Sequence, residues 1–106
     1  MAGDDLVYLS IGEAAALVAQ RKVSPLELTD ACIARAEALD GRLHAYITRT
    51  FDSARQEARA AADEIAAGKR RGPLHGIPFA IKDLYETAGV VTTGGSRLRE
   101  EFVPKE

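Results

Sequence analysis

Cysteine is nearly missing from this chain: Cys32 is the only one in 106 residues, so no internal disulfide can form. Its place among small residues on a helical stretch predicts a buried structural thiol. Histidine is almost as scarce. His44 and His75 lie far apart, without Cys or acidic residues at ligand spacing around either, and no metal site is expected. Long apolar runs are lacking too, and the acidic start Met1-Ala2-Gly3-Asp4-Asp5 leads into no apolar h-region. Neither a membrane span nor a signal peptide is expected, and the chain reads as cytoplasmic. Neither sign of charge dominates: 14 Lys and Arg stand against 16 Asp and Glu, a net charge of −2. The one basic run, Lys69-Arg70-Arg71, is too short for a nucleic-acid surface and reads as a solvated loop after a helix. Bulky apolar side chains are also limited, since nineteen of the forty-nine hydrophobic residues are Ala. The core such a chain builds alone is thin. No internal repeat, low-complexity tract or inter-domain linker divides it.

What is present begins with helix signals. Ser10-Ile11-Gly12-Glu13 has the S-x-x-E pattern of a capping box, and Ile11, Ala14, Ala15 and Val18 follow on one face of a helix to about Gln20. Ser24-Pro25-Leu26-Glu27 repeats the pattern with Pro at the first helical position, where its missing N–H costs nothing. This helix is expected to reach about Leu39, to bury Leu28, Ala31, Cys32, Ala36 and Leu39, and to stop at Asp40-Gly41. Leu43 to Thr48 alternates apolar and polar residues, which predicts a short half-buried strand or extended segment. A third helix from about Phe51 to Ala67 carries Phe51, Ala54, Ala58, Ala61, Ala62 and Ile65 along one stripe, with Gly68 placed to end it.

Gly72-Pro73 and Gly76 then lead into Ile77-Pro78-Phe79-Ala80-Ile81, an apolar run without alternation, which predicts a strand covered on both faces. Lys82 follows at once. A lysine there is expected to be partly desolvated, which lowers its pKa and suits it to act as a general base. The plainer alternative is a strand-end lysine whose stem lies on apolar surface while its ammonium reaches water. For Asp83 a hydrogen bond to nearby backbone is expected rather than an ion pair, because an ion pair would hold Lys82 charged. Thr92 and Thr93 are expected to order the following loop through their hydroxyls.

The string from Gly72 to Asp83, followed by Thr92-Thr93-Gly94-Gly95-Ser96, resembles the amidase signature family, and the likeness extends from about Tyr8 to Pro104. The resemblance implies an α/β fold, in which this chain supplies the N-terminal helices and first core strand of a mixed sheet sandwiched between helices. Residues 1–106 would then be the incomplete N-terminal part of one domain. It further implies an amide-cleaving Ser, cis-Ser, Lys triad with Lys82 as its lysine. Neutral Lys82 would take a proton from the bridging cis-serine, which activates the nucleophilic serine, and would later protonate the leaving amine. Both serines and the oxyanion-stabilising amides lie in a Gly/Ser-rich segment absent from this sequence, so the isolated chain is expected to be inactive. Ser96 is not a substitute nucleophile, since Gly94-Gly95-Ser96-Arg97 does not match the G-x-S-x-G elbow. Thr93, Gly94, Gly95 and Ser96 read instead as a substrate-side loop. His44, where an amide side chain is common in the family, and Phe79, where a β-branched residue is common, depart from the family pattern and bear on packing.

A small-molecule amide and the remainder of the domain are the partners this implies, with a homo-oligomer left open; no cofactor and no membrane are implied. The alternative within the same fold is the A subunit of a tRNA-dependent amidotransferase, which needs partner subunits and is the one reading that brings in nucleic acid. From a different class comes a non-catalytic interaction module, which would be a cooperatively folded monomer.

Overall fold

In the computed structural model, residues 3–106 are described. They form two compact units, one comprising the chain up to His44 with Thr50–Pro78, the other Ala45–Arg49 with Phe79–Glu106. The first unit is helical: α1 (Gly3–Leu6), α2 (Ile11–Ala19), α3 (Pro25–Leu43) and α4 (Phe51–Ala66).

Both expected capping boxes form. Ser10 Oγ accepts the Glu13 N–H at 3.1 Å while Ser10 N–H donates to Glu13 at 2.7 Å, and Ser24 and Glu27 repeat both bonds at the same lengths. Each box satisfies two amides that a helix start leaves open. At the other end, α4 closes as its sequence predicts. Gly68 takes φ +78, its N–H reaches Ile65 O and the Lys69 N–H reaches Glu64 O, the paired bonds of a Schellman cap. The end of α2 uses the same pair of bonds without a glycine. Arg21 sits at φ 56, with Arg21 N–H on Val18 O and Lys22 N–H on Leu17 O. The Arg21 guanidinium donates to Ile65 O on α4 at 3.2 Å, so the left-handed residue also ties α2 to α4.

The core lies where these helices meet. Leu6, Ala14, Val18, Val23, Leu28 and Ile65 are buried together, with Leu9, Leu17, Ala31 and Ile77 packed against them. Each fully buried Val, Leu or Ile contributes roughly 1.5–3 kcal/mol, and only a handful are present, so this core is as thin as the alanine content implies. Polar links supplement it at the surface. Arg55 Nε donates to Asp30 at 2.8 Å between α4 and α3, and Arg35 donates to Tyr8 Oη at 3.1 Å.

Several expectations are corrected. Helix α3 runs through Asp40 and Gly41 and ends at Leu43; the left-handed residue is His44 at φ 49, whose N–H reaches Asp40 O at 2.8 Å. A glycine stops a helix only if the chain turns there, and nothing turns it at Gly41. The buried face of α3 is Pro25, Leu28, Thr29, Ile33, Ala36 and Asp40, rotated from the predicted stripe, which leaves Cys32 exposed. Ile11 is exposed rather than packed. Residues 44–50 form no strand among the described residues: the extension of α3 absorbs Leu43, and the irregular segment that follows joins no ladder, the Thr48 hydroxyl donating to Val91 O at 3.5 Å. Ile77–Ile81 forms no strand and joins no ladder among the described residues; Ile77 packs on the core, while Phe79 and Ile81 are 82% and 52% exposed. The covering on both faces that the apolar run predicts is therefore not supplied among the described residues. None of the described helices is long and apolar enough to cross a membrane.

Candidate functional site

Within the second unit, order comes from turns rather than from ladders. The sole bridge among the described residues is Thr87 with Val90, closing a turn in which Val90 N–H reaches Thr87 O at 3.0 Å and Gly89 takes φ +76. The final residues run back beside this stretch. Thr92 N–H donates to Phe102 O at 2.9 Å and Gly89 N–H to Pro104 O at 3.0 Å, and Pro104 is buried. Arg99 lies over the Phe102 ring at 4.3 Å and bonds Glu86 at 2.9 Å, pinning the 3₁₀ turn Arg97–Arg99 to the segment after Asp83.

Lys82 is exposed, contrary to the expected desolvation, as are Phe79, Ala80 and Ile81 before it. Its backbone, by contrast, is fixed. Lys82 O accepts the Tyr85 N–H at 3.1 Å, which places Lys82 at the first position of a turn with Asp83 next in line.

Asp83 is tied to the 92–96 loop through both its side chain and its main chain. Its carboxylate accepts the Thr93 N–H at 2.8 Å and the Thr93 hydroxyl, and its carbonyl accepts the Gly94 N–H at 2.9 Å. The Thr93 hydroxyl in turn accepts the Gly95 N–H at 3.1 Å. Donation from the Thr93 hydroxyl, and then from its amide, holds the Asp83 carboxyl below the usual carboxylate range, with the Gly94 and Gly95 amides adding to the effect. The expected hydrogen bond from Asp83 to backbone is thus present, and the Asp83 carboxylate is occupied by Thr93. Thr92 and Thr93 order the loop as expected; both are buried, and the Thr92 hydroxyl donates to Val90 O.

The substrate-side loop expected of Thr93, Gly94, Gly95 and Ser96 has a specific chemistry. Each of its four amides already has a partner inside the unit: Asp83 Oδ1, Asp83 O, the Thr93 hydroxyl and Thr93 O. In this conformation the loop offers no free N–H to an oxyanion. What it exposes is the surface of Gly94 and Gly95, at φ +59 and +75, with open space where a β-carbon would stand. Ser96 caps the 3₁₀ turn, its Oγ accepting the Leu98 N–H at 3.2 Å. That is a structural use of the hydroxyl.

Sequence reasoning passed over one polar cluster, which belongs to the helical unit. The side chain of His75 is only 5% exposed; its Nδ1 accepts the Arg71 N–H at 2.9 Å, and its Nε2 lies 3.3 Å from Glu64, which also pairs with Arg71 at 3.1 Å. With Nδ1 accepting, a neutral ring carries its proton on Nε2, which lies beside Glu64 and 3.2 Å from Arg71 Nη2. The only sequence signal was the short Arg71 to His75 spacing across a Gly-Pro turn. No group of three or more His, Cys, Asp or Glu among the described residues could hold a metal ion.

Comparison with known proteins places this geometry in context. A family model described as amidase matches residues 27–106. Over 100 residues, or 94% of the chain, the sequence is 45% identical to the A subunit of glutamyl-tRNA(Gln) amidotransferase from Anaeromyxobacter sp. (strain K), and 36% identical to its counterpart from Streptomyces coelicolor. It is 48% identical over 99 residues to the counterpart from Rhodospirillum rubrum. The chain spans only about a fifth of the length of these relatives, 20%, 20% and 19% in turn.

Proposed function

The chain belongs to the amidase signature family, and from that premise we propose that it is the N-terminal part of a domain that cleaves a carboxamide C–N bond, with Lys82 as the general base of a Ser, cis-Ser, Lys triad. The observation that carries the proposal is the position of Lys82: it closes the apolar run Ile77–Ile81 inside the matched segment, on a backbone held by a turn and by the bonds of Asp83 to the next loop. The nucleophile and the bridging serine are then supplied by residues outside this sequence, and the 106-residue chain alone is inactive. Positioned proton transfer of this kind contributes typically about 10²–10⁴-fold to rate.

The same reading accounts for the bare apolar segment. Phe79 and Ile81 become inward-facing residues of the first core strand in a mixed sheet between helices, and covering them is what dries Lys82 enough to lose its proton near neutral pH. The loop Thr93–Ser96 borders the substrate and contributes shape through its two glycines rather than donors.

A more particular reading is favoured by the names of the relatives: the A subunit of an amidotransferase, working with partner subunits on a tRNA-borne substrate. Ammonia release from simple carboxamides by the product of the whole reading frame distinguishes the two. Turnover by that product alone supports an independent hydrolase. Turnover that appears only with amidotransferase partner subunits supports the amidotransferase reading. No turnover in either arm, from a folded protein, favours a non-catalytic module.

A further inference from the structure

Asp83 stands next to the proposed base, yet its carboxylate points at the loop. Three hydrogen bonds run from this one residue to Thr93 and Gly94, ten and eleven positions later, and a fourth from Gly95 completes the knot on the Thr93 hydroxyl. Lys82 itself makes no such contact. Its side chain extends into solvent, while its carbonyl receives the Tyr85 N–H. What the bonds hold is the backbone of Lys82 and Asp83, not the amine-bearing side chain.

We propose that Asp83 and Thr93 form a brace that positions Lys82, Asp83 acting as a positioning residue that fixes the Lys82 main chain against the Thr93-Gly94-Gly95 loop. This inference rests on Lys82 being the general base. The brace is built for that task in three respects. It grips through both main chain and side chain, so Asp83 can neither slide nor rotate. It leaves the Lys82 amine outside the network, free to face its reaction partners. It also consumes the loop amides, which makes the loop a rigid wall and not an oxyanion site. A charged acceptor strengthens such bonds relative to neutral ones, and the Asp83 carboxyl, held below the usual carboxylate range, stays an anion wherever a lysine base operates. Displacing a reacting group by about 1 Å costs on the order of 10²-fold in rate.

The test has two arms. In the 106-residue chain, amide hydrogen exchange at Thr93, Gly94 and Gly95 should accelerate at least tenfold in Asp83→Ala and Thr93→Val and remain slow in Thr93→Ser, which keeps the hydroxyl. In the product of the whole reading frame, Asp83→Ala and Thr93→Val should lower kcat by about 10–100-fold with KM within twofold, and Thr93→Ser should restore kcat to within about threefold. If Asp83→Ala does not fold, the Thr93→Ser and Thr93→Val pair carries the same comparison. Unchanged kcat in Thr93→Val while Lys82→Ala is inactive overturns the brace and spares the base; full activity in Lys82→Ala overturns the base itself. A Thr93→Ser enzyme as slow as Thr93→Val also overturns the brace, because it assigns the loss to packing.

Discussion

Gly76 and Pro25 approach so closely that no side chain fits between them: a β-carbon on Gly76 would stand 2.6 Å from Pro25 Cγ and 3.4 Å from Ile65 Cδ1. Gly76 also takes φ +87, a conformation that suits glycine and strains other residues. The contact seats the loop after α4 on the first turn of α3 and delivers Ile77 to the core.

Gly76→Ala should therefore be destabilising by about 2–5 kcal/mol, the left-handed backbone contributing about 1–2 and overpacking about 1–3. A urea titration followed by circular dichroism reads this as a lowered midpoint with an unchanged slope. A melting curve indistinguishable from that of the parent chain would contradict the close packing.

The His75 ring satisfies the Arg71 amide and faces Glu64 while nearly sealed from solvent. His75→Ala should cost about 1 kcal/mol, because it removes the acceptor of the Arg71 amide and the buried ring that packs beside Glu64. The same urea assay checks it, and Lys69→Ala and Arg70→Ala, both exposed, should stay within about 0.5 kcal/mol of the parent.

Acid should loosen the start of α2. Donation from the Ser10 amide, then from its hydroxyl, holds the Glu13 carboxyl below its ordinary value in the folded chain. A depressed folded value means that the contribution is present above the unfolded carboxylate value and is lost as pH falls through the lower, folded one. Glu13→Gln should lower stability near neutrality and remove the loss in acid, so that the curves of the variant and the parent converge below the ordinary carboxylate range. Asp83, depressed chiefly by the Thr93 hydroxyl, follows the same sign. Its loop amides should lose protection only in acid, and chemical shifts across a pH series record the point.

Cys32 is exposed, and partial desolvation pushes its thiol up from the ordinary value. Ellman's reagent should accordingly label one thiol per chain without denaturant, more slowly at neutral pH than an unhindered thiol and faster as pH rises, since the thiolate is the reactive form. A thiol that reacts only after unfolding would restore the burial expected from its neighbours in sequence.

For Lys82, replacement by alanine in the product of the whole reading frame should lower turnover by at least about 10²-fold and leave the melting temperature of the 106-residue chain unmoved, because the side chain is exposed and makes no packing contact that folding needs.

Local chemistry was sufficient for the helix starts and for the end of α4. Ser10 and Glu13, Ser24 and Glu27, Pro25 and Gly68 act on amides and carbonyls within four residues of themselves, so their roles are written in the order of the residues. The family was equally legible, in the run from Gly72 to Lys82 and the Thr-Thr-Gly-Gly-Ser loop. What sequence alone could not settle depends on neighbours distant along the chain. Gly41 has the chemistry of a helix stop but remains helical, and His44 turns the chain instead. The stripe of α3 rotates toward α4 and uncovers Cys32, and His75 is drawn in by Glu64, eleven residues before it. Ile77–Ile81 has the composition of a buried strand, yet only Ile77 reaches the core while Phe79 and Ile81 stay exposed, because a strand is completed only by chains paired at its edges and packed on its faces. The tie from Asp83 to Thr93 belongs to tertiary structure for the same reason: a carboxylate chooses its donors by proximity in space, and ten residues of turn had to fold before that choice existed.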